Sequence, residues 1–481
     1  MYTYVDLFAG CGGLSLGIER SGGELALAVE KSDMASLTFF ANFIDPTVTG
    51  EGWRAHLESE VNSQVARRLA VRPLREVLDD VRSMELIGQK NVDVVVGGPP
   101  CQGFSLAGRR NPADVRNKLP WEYLEFVDRV SPKVVVIENV VGMNHRFSPD
   151  EDTPFAQLQQ ALAETGLGYE VQGVSVNAIH YGAPQNRPRL LIIGVRRDVA
   201  ESRSLHGTGA LWTSAFLDEL VGAVPPMAPY PTVTRSESPT VADAIGDLQM
   251  TAPRSDSKRA HAFRAEVRSR SAWGLPASTH PAGAPLENQT HRKHSDVTQS
   301  RFRLYQWLRA NGLSPRVVNS LTSNKVTAQL NLPKSALPAI APDGTVLAKD
   351  EDDLLRLIER LQTRKHSQKA LAWDEPARTV VTLPDDYVHP SEARILTVRE
   401  MARLQGFPDD FVFLGKETTG SLRRRFEVPQ YSQVGNAVSP FLAKAVGEMI
   451  RGLLPPIGES ESALDPAIDV ALPSSQVAAV A

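Results

Sequence analysis

Short apolar runs alternate with glycine-rich or polar stretches along the first 200 residues of the chain. Five of these runs are rich in Val, Leu and Ile, which is typical of strands buried on both faces of a parallel sheet. We predict strands at Tyr4–Leu7, Leu25–Val29, Val92–Val96, Lys133–Val140 and Leu190–Val195. Because the strands alternate with helical stretches, residues 1–200 are expected to form a doubly wound, Rossmann-like α/β lobe.

The hydrophobic pattern becomes irregular after residue 200. Four prolines between Pro225 and Pro231 mark a linker. The segment that follows is rich in Pro and Ser, and its clearest helical patches lie at 300–308 and 352–361. This part of the chain therefore differs in kind from the first lobe.

Regular structure is predicted again near the end of the chain. A helix is expected at 437–450, whereas the residues from Leu454 onward include four acids and no base, which favours a disordered tail. We divide the chain into a lobe formed by 1–200 and 425–453, a smaller irregular domain at 201–424, and a tail at 454–481.

A glycine turn follows the first predicted strand. Residues Phe8–Gly13 have the pattern F-x-G-x-G-G before a helix start, which aims backbone N–H groups at a bound nucleotide. Ser15 stands where the dinucleotide fingerprint has its third glycine, and this disfavours a nicotinamide or flavin cofactor. Glu30 ends the second predicted strand, where doubly wound folds hold ribose hydroxyls, although a solvated strand-end acid is an equal alternative.

Candidate reactive groups lie near the ends of other predicted strands. Cys101 follows the third strand within Pro99–Gln102, and Glu138 ends the fourth, so both are expected at the ligand-binding edge of the sheet. A lone cysteine is more often an inert buried residue, so Cys101 by itself does not establish a nucleophile. Arg187 and Arg189 should point the same way on an extended chain, which suits an anionic or carbonyl-rich ligand.

Composition narrows the class of protein. The 481 residues, 42% of them hydrophobic, suffice for two domains. The sequence has neither an apolar run of 18 residues nor a charged-then-apolar leader, so we expect a cytoplasmic protein with no membrane segment. Its two cysteines, Cys11 and Cys101, lie in candidate ligand motifs, which argues against a disulfide scaffold, and we expect no metal site.

The net charge of −4 argues against a nucleic-acid binder, but the charge is unevenly distributed. Between residues 251 and 310 lie eleven Lys and Arg residues and only four acids. A locally basic segment can follow DNA phosphates because distant exposed charges are screened at physiological salt. The alternative is a solvated loop with surplus basic residues.

Six motifs together resemble those of the DNA (cytosine-5) methyltransferase family. In chain order they are F-x-G-x-G-G at 8–13, P-P-C-Q at 99–102, E-N-V at 138–140, Q-x-R-x-R at 185–189, R-E-M-A-R-L-Q-G-F-P at 399–408 and Q-V-G-N-A-V at 433–438. The resemblance implies S-adenosylmethionine as cofactor, double-stranded DNA as substrate, and a target-recognition domain between the fourth and fifth motifs. It also implies that the target cytosine leaves the duplex.

The resemblance further implies roles for the catalytic residues. Cys101 would add to carbon 6 of cytosine, and Glu138 would bind nitrogen 3 and the exocyclic amine. Arg189 would grip the base carbonyl and steady Glu138, whereas Arg187 would meet a phosphate. The loop from Gln102 to Leu119 would close over the flipped base, with Gln102 or Ser105 filling the gap.

Cofactor contacts follow from the same resemblance. Phe8 would pack on adenine, Cys11 and Gly13 would offer backbone N–H groups, and Glu30 would take the ribose hydroxyls. The remaining candidates are Asp80 for the adenine amine, with adjacent Asp79 leaving the register open, Pro99 and Leu119 at the cofactor, and Asn436 and Ala437 at its methionine end. The candidates for DNA contact from the basic segment, rather than from the resemblance, are Arg292 and Lys293.

Three alternatives remain beside this interpretation. A tRNA-methylating branch shares several motifs, but its recognition region is compact and carries a Cys-Phe-Thr tripeptide, whereas this chain has no third cysteine and a longer insert. A nicotinamide oxidoreductase is disfavoured by Ser15. An inactive DNA-binding relative is disfavoured by the presence of Cys101, Glu138 and Arg189. We expect a monomer that modifies DNA in a prokaryotic restriction–modification system, with a restriction endonuclease acting independently.

Overall fold

Fourteen strands are present in the computed structural model, which describes residues 1–100, 118–146, 151–250, 256–275, 285–319, 332, 336–365, 367–420, 423 and 426–455. They are β1 (Tyr2–Leu7), β2 (Gly23–Val29), β3 (Leu69–Ala70), β4 (Val94–Gly97), β5 (Val134–Asn139), β6 (Tyr169–Asn177), β7 (Gln185–Asn186), β8 (Pro188–Arg196), β9 (Trp212–Thr213), β10 (Ala339–Ile340), β11 (Val346–Ala348), β12 (Lys369–Ala370), β13 (Ala377–Arg378) and β14 (Tyr387–Val388).

Eight of these strands form one sheet, in the order β3-β2-β1-β4-β5-β8-β6-β9. The pairs β2–β3, β1–β2, β1–β4 and β4–β5 are parallel, whereas β8 runs antiparallel to both β5 and β6. The strand order reverses direction between β1 and β4. Open α/β sheets bind ligands beyond the carboxyl ends of the strands at such a point. The doubly wound α/β prediction is confirmed, with all five predicted strands present.

Sixteen α-helices lie within the described residues. They are α1 (Gly13–Arg20), α2 (Asp33–Phe43), α3 (Gly50–Glu58), α4 (Val61–Ala66), α5 (Leu74–Asp79), α6 (Val81–Gly88), α7 (Leu119–Val130), α8 (Pro154–Glu164), α9 (Arg197–Ser202), α10 (Val241–Ile245), α11 (Lys258–Val267), α12 (Asp296–Ala310), α13 (Glu351–Arg360), α14 (Val398–Gln405), α15 (Gln430–Asn436) and α16 (Pro440–Leu453). Short 3-10 turns lie at Val141–Asn144, Ala178–Tyr181, Leu217–Glu219, Arg235–Glu237, Arg270–Trp273, Pro315–Val318 and Pro384–Asp386.

Capping residues set where the predicted helices begin. Helix α12 contains the patch expected at 300–308, and α13 covers the patch expected at 352–361 except Leu361, which is its C-cap. Both helices start earlier than predicted because Ser295 and Asp350 accept backbone N–H groups as N-caps. The helix expected at 437–450 begins instead at Pro440, since proline fits the first helical position. It ends three residues later than predicted, at Leu453.

Apolar side chains pack on both faces of the sheet. Along β4, Val94 and Val96 belong to one core cluster and Val95 to the other, as the alternation of a pleated strand requires. The larger cluster also contains residues from 205–273 and from 396–413, together with Leu371, Ala377, Val380 and Tyr387. The segments 205–273 and 396–413, which the sequence assigns to the second domain, therefore pack as part of the first lobe, and the chain at 371–387 packs against it.

A third, separate core cluster lies between Phe302 and Ile395 and is built around α12 and α13. The division of the chain at residues 201 and 424 stays a prediction, but the packing favours a narrower second lobe centred on 302–395. We call this segment the second lobe below.

The last described helix packs against the first. A Cβ atom added to Gly17 of α1 would collide with Ala443 of α16, so the two helices approach as closely as glycine allows. Within the described part of the chain, none of the helices has the length and apolarity needed to cross a bilayer.

Candidate active site

The glycine turn after β1 leaves open space beside its backbone. Phe8, Gly10 and Gly12 all have positive φ values, of 61°, 58° and 97°. A Cβ atom on Gly10 would meet nothing within 4 Å, so the turn is not packed against protein at that point. The backbone at this turn can therefore approach a ligand closely, as the sequence predicts.

Glu30 is tied directly to this turn. Its Oε2 accepts the Gly10 N–H at 3.0 Å and its Oε1 accepts the Ser32 N–H at 2.8 Å. Burial raises the pKa of the Glu30 carboxyl, while the two backbone donors oppose the shift. The carboxylate expected to hold ribose thus lies at the glycine turn, and ribose binding itself stays a prediction.

A segment from the far end of the chain covers the turn. The Cys11 thiol donates to the Gln433 carbonyl at 3.6 Å, and a Cβ atom on Gly13 would overlap the Val438 carbonyl oxygen and lie 3.1 Å from the Ala437 side chain. Ala437 is buried, whereas Asn436 is exposed. The first and last sequence motifs are therefore neighbours in the fold.

Cys11 is a packing residue rather than a reactive thiol. It is 2% exposed, and burial raises its pKa to about 12, so it stays protonated at neutral pH. The predicted role of Cys11 at the cofactor concerns its backbone N–H. Burial of the side chain does not test that role, which stays a prediction.

Glu138 and Arg189 form an ion pair at the edge of the sheet. Arg189 Nε lies 2.7 Å from Glu138 Oε1, with side chains that are 12% and 13% exposed. The antiparallel pairing of β5 and β8 produces the contact, because Glu138 pairs with Leu191, two residues from Arg189. The structure thus brings together the two residues expected to act on the base.

The segment after β4 is shaped around this ion pair. A Cβ atom on Gly98 would lie 2.9 Å from Glu138 Oε2, so glycine makes room for the carboxylate. The Asn139 side chain donates to the Pro99 carbonyl at 3.0 Å and accepts the Val140 N–H at 2.9 Å. The Asn of the E-N-V motif therefore braces the backbone that leads to Cys101.

Three predicted residues lie outside the described residues, namely Cys101, Gln102 and Ser105. The described chain stops at Pro100 and resumes at Lys118, and Leu119 begins α7. The roles of these residues in nucleophilic attack and DNA binding stay predictions.

Arg187 does not occupy the position expected of a phosphate ligand. It is 2% exposed, and its guanidinium donates to the carbonyls of Val380, Gly435 and Ala437 at 2.8–2.9 Å. A guanidinium enclosed by carbonyls has no open face for a DNA phosphate, so that expectation is wrong for Arg187. The Q-x-R-x-R pattern suggested two similar arginines because sequence spacing does not reveal which one meets distant parts of the chain.

Asp80 has a structural contact of its own. Its Oδ2 accepts from the Ser83 N–H at 2.8 Å and from the Ser83 hydroxyl at 2.5 Å, and so caps α6. Asp79 is exposed and lies 3.7 Å from Arg75 Nη1. Neither carboxylate contacts the glycine turn through these bonds, and the adenine contact stays a prediction.

Sequence reasoning missed Asp6, which lies buried in β1 beneath the turn. The Ser15 hydroxyl donates to Asp6 Oδ2 at 2.6 Å, and burial raises the pKa of Asp6 to about 7. Ser15 had served only to exclude a dinucleotide. An acid within an apolar strand, followed by a serine at the next helix, was the available signal.

Within the described residues of 251–310, the basic side chains do not form one continuous patch. Many of these cations face acids elsewhere in the chain, through the pairs Arg259–Asp243, Arg264–Asp247, Arg303–Asp343 and Arg309–Glu375. Arg270 is buried and lies 3.6 Å from Glu19. Arg292 and Lys293, by contrast, are exposed just before α12, which keeps them available to a nucleic acid.

Residues 2–452 match the family model for C-5 cytosine-specific DNA methylase. The chain is 30% identical to Type II methyltransferase M.XorII of Xanthomonas oryzae pv. oryzae, over 93% of this chain and 84% of that protein. It is 27% identical to Type II methyltransferase M.DdeI of Desulfomicrobium norvegicum, over 93% of this chain and 88% of that protein.

The fold also matches a solved structure. An E. coli prophage-encoded chain, described as a DNA modification methyltransferase, superposes with a TM-score of 0.57 at 20% identity, covering 94% of this chain and 99% of that chain. At this level of identity the match concerns the fold.

Proposed function

The chain belongs to the C-5 cytosine-specific DNA methylase family and is a DNA (cytosine-5) methyltransferase, and from this premise we propose that it methylates cytosine within one specific double-stranded DNA sequence. The observation that carries the proposal is the shielded ion pair between Arg189 and Glu138. Glu138 lies on β5, which pairs with β4, the strand that leads to the P-P-C-Q motif. Similarity to Type II methyltransferases supports a role as the modification enzyme of a prokaryotic restriction–modification system. A restriction endonuclease acting independently at the same site would be its counterpart.

Activation of the base is the first chemical requirement. Cytosine carbon 5 is a poor nucleophile until addition at carbon 6 makes the ring enamine-like. We propose that the Cys101 thiolate forms this bond while Glu138 delivers a proton to nitrogen 3, so that no negative charge accumulates on the ring. Carbon 5 then accepts the methyl group. Loss of the carbon 5 proton to a base, cleavage of the carbon–sulfur bond and return of the nitrogen 3 proton to Glu138 restore the aromatic ring, the thiolate and the acid.

Arg189 orients the acid that protonates the base. Its Nε holds Glu138 Oε1, while its Nη1 donates to the Pro188 carbonyl at 2.8 Å, so the guanidinium plane is fixed at two points. A fixed guanidinium suits the carbonyl of a flipped cytosine, which we assign to Arg189.

The residues around the glycine turn fit S-adenosylmethionine. Gly10 faces open space, Glu30 accepts the N–H of that glycine, and exposed Asn436 precedes Ala437, which lies beside Gly13 of the same turn. Phe8, whose side chain is half-buried, is assigned to the adenine, and Glu30 to the ribose. When bound, the cofactor supplies an electrophilic methyl group. The chain's own task is to hold it at the carboxyl edge of the sheet.

Recognition of DNA is assigned to the second lobe. Its separate core at 302–395 supports a unit that can vary while the α/β lobe keeps its chemistry. Extrusion of the target base costs a few kcal/mol, which contacts between this lobe and the duplex must offset.

The decisive experiment is expression in a host without DNA methylation, followed by bisulfite sequencing. A single methylated sequence motif is expected, and unmethylated DNA would refute the proposal. Methylation of tRNA without methylation of DNA would instead favour the RNA-modifying alternative. DNA from the same host without this protein serves as the background control.

A trapping experiment tests the covalent step separately. DNA with 5-fluorocytosine at the target should form a stable adduct, because fluorine cannot leave as a proton does. Peptide mapping should place the adduct on Cys101, and Cys101→Ser should form none. An adduct on another residue would overturn the assignment.

A further inference from the structure

Three polar side chains meet in a buried cluster that lies between the cofactor loop, the second lobe and the sheet. They are Gln185, Arg187 and Gln405, which are exposed by 0%, 2% and 0%. We use the name cofactor loop for residues 435–437, which are the last two residues of α15 and its C-cap. Each side chain of the cluster bonds to backbone that comes from a distant part of the sequence.

Arg187 bonds to two separate structures at once. Its Nη1 donates to the Val380 carbonyl at 2.9 Å, and its Nη2 donates to the carbonyls of Gly435 at 2.8 Å and Ala437 at 2.9 Å. Gly435 and Ala437 flank Asn436, the exposed residue of the cofactor loop. One guanidinium therefore fixes the backbone on both sides of that residue.

Val380 lies where the chain of the second lobe packs against the first lobe, since it belongs to the larger core cluster. It follows β13, which pairs in parallel with β7, and its N–H donates to Gln185 Oε1 at 2.9 Å. The next strand, β14, carries Tyr387 of the larger cluster and Val388 of the third core cluster. Arg187 therefore bonds to backbone at the junction between the two lobes.

Gln405 reinforces the cofactor loop from the other side. Its Nε2 donates to the carbonyls of Val434 and Ala437, both at 2.8 Å. It also contacts Gln185, whose Nε2 donates to the Leu404 carbonyl at 3.0 Å. Ala437 thus receives hydrogen bonds from two side chains of the cluster.

From these contacts we infer that Arg187 is a positioning residue that holds the cofactor loop and the second lobe in one fixed arrangement, and thereby supports the binding of cofactor and of DNA without touching either. Burial of a cation with no carboxylate bonded to it is costly, and the planar fork of arginine is what lets one group reach three carbonyls. A lysine ammonium is a point charge and cannot span both structures. The inference rests on the proposed function, since it assigns the cofactor to residues 435–437.

The test compares Arg187→Lys with a matched control, Arg399→Lys. Arg399 is equally buried and donates to the carbonyls of Glu287 at 3.1 Å, Pro408 at 2.9 Å and Phe411 at 2.7 Å, none of which belongs to the cofactor loop. Both variants lose carbonyl contacts of the same kind. Thermal unfolding of each should show a similar loss of stability.

Binding then separates positioning from stability. At a temperature where both variants are folded, Arg187→Lys should raise the Kd for S-adenosylhomocysteine, measured by calorimetry, about tenfold, and should also weaken binding to target DNA. Arg399→Lys should leave both constants near their wild-type values. Unchanged constants in folded Arg187→Lys, or equal changes in the two variants, would overturn the inference.

A second variant covers the case in which Arg187→Lys does not fold. Gln405→Glu replaces the donor to Val434 and Ala437 with an acceptor while leaving the Arg187–Val380 bond, so cofactor affinity should fall and DNA affinity should persist. An unchanged S-adenosylhomocysteine affinity there would also overturn the inference. Failure of the wild-type protein to bind S-adenosylhomocysteine would instead contradict the proposed function.

Discussion

Arg189 Nε and Glu138 Oε1 lie 2.7 Å apart across two antiparallel strands, in a position that is largely shielded from water. Arg189→Lys keeps the charge but loses the planar group that fixes the carboxylate. We expect the single-turnover rate constant of methylation to fall roughly 10- to 100-fold, because a misplaced general acid transfers its proton poorly, while the Kd for DNA stays within about threefold.

Single-turnover methylation and DNA binding provide the two measurements. Arg196→Lys is the matched control, since Arg196 lies on the same strand and pairs with Asp198 at 2.8 Å, near the protein surface. Equal loss of rate in both variants would contradict a specific role for Arg189.

Gly98→Ala tests the position of the Glu138 carboxylate by steric displacement. The added methyl carbon would stand 2.9 Å from Glu138 Oε2, so the carboxylate must shift away from its ion-pair position. We expect a large loss of turnover with a stability loss of only about 1 kcal/mol, because the obstacle is the end of a side chain rather than backbone. Steady-state kinetics and urea unfolding would measure the two effects.

Gly88→Ala is the control for Gly98→Ala. A Cβ atom there meets nothing within 4 Å, so both rate and stability should be kept. Normal turnover by Gly98→Ala would contradict the prediction, because it would show that turnover does not require the Glu138 carboxylate at its present position.

The buried carboxyl of Asp6 should make stability depend on pH. Burial raises its pKa to about 7, above the value of about 3.9 expected in the unfolded chain. Between these values the unfolded chain has released the proton and the folded chain has not, so the free energy of unfolding falls as pH rises. From pH 5 to pH 8 the loss from this group is about 3 kcal/mol.

Asp6→Asn removes this titration while its amide oxygen can still accept the Ser15 hydroxyl. The unfolding free energy of the variant, relative to wild type, should therefore improve between pH 5 and pH 8. Parallel pH curves from urea unfolding of the two proteins would refute the assignment.

Arg292 and Lys293 should contribute to DNA affinity. Replacing both with Gln should weaken binding more than it changes single-turnover chemistry on saturated complexes. If they touch phosphates, the slope of log Kd against log salt concentration should decrease by up to about two, and the target site should stay unchanged. If they touch guanine edges, the discrimination against other bases at that position of the target site should fall by roughly 1–3 kcal/mol per lost contact.

Lys258 and Arg268 supply the control for that measurement. They are exposed in the same basic segment, so their double replacement removes equal charge at another position. Equal effects from the two pairs would indicate general electrostatic attraction, and no effect from Arg292 and Lys293 would mark a solvated loop.

Local sequence signals predicted the edge of the sheet well. Glu30 and Glu138 each close an apolar run, and the alternating elements imply a common edge for strand ends, so their positions followed from short-range pattern. The partner of Arg187 could not be predicted in this way, since Val380 is 193 positions distant. Its burial depends on how the second lobe returns to the sheet, which no local spacing encodes.

The contact between Gly13 and the Val438 carbonyl has a consequence for synthesis of the protein. The glycine turn is synthesised long before the segment that covers it, because α1 precedes α16 by more than 400 residues. A nascent chain therefore emerges with this turn uncovered. Synthesis of the segment around Val438, rather than formation of the central sheet, is the step that covers the turn, so a chain interrupted before that segment would keep the turn open to solvent.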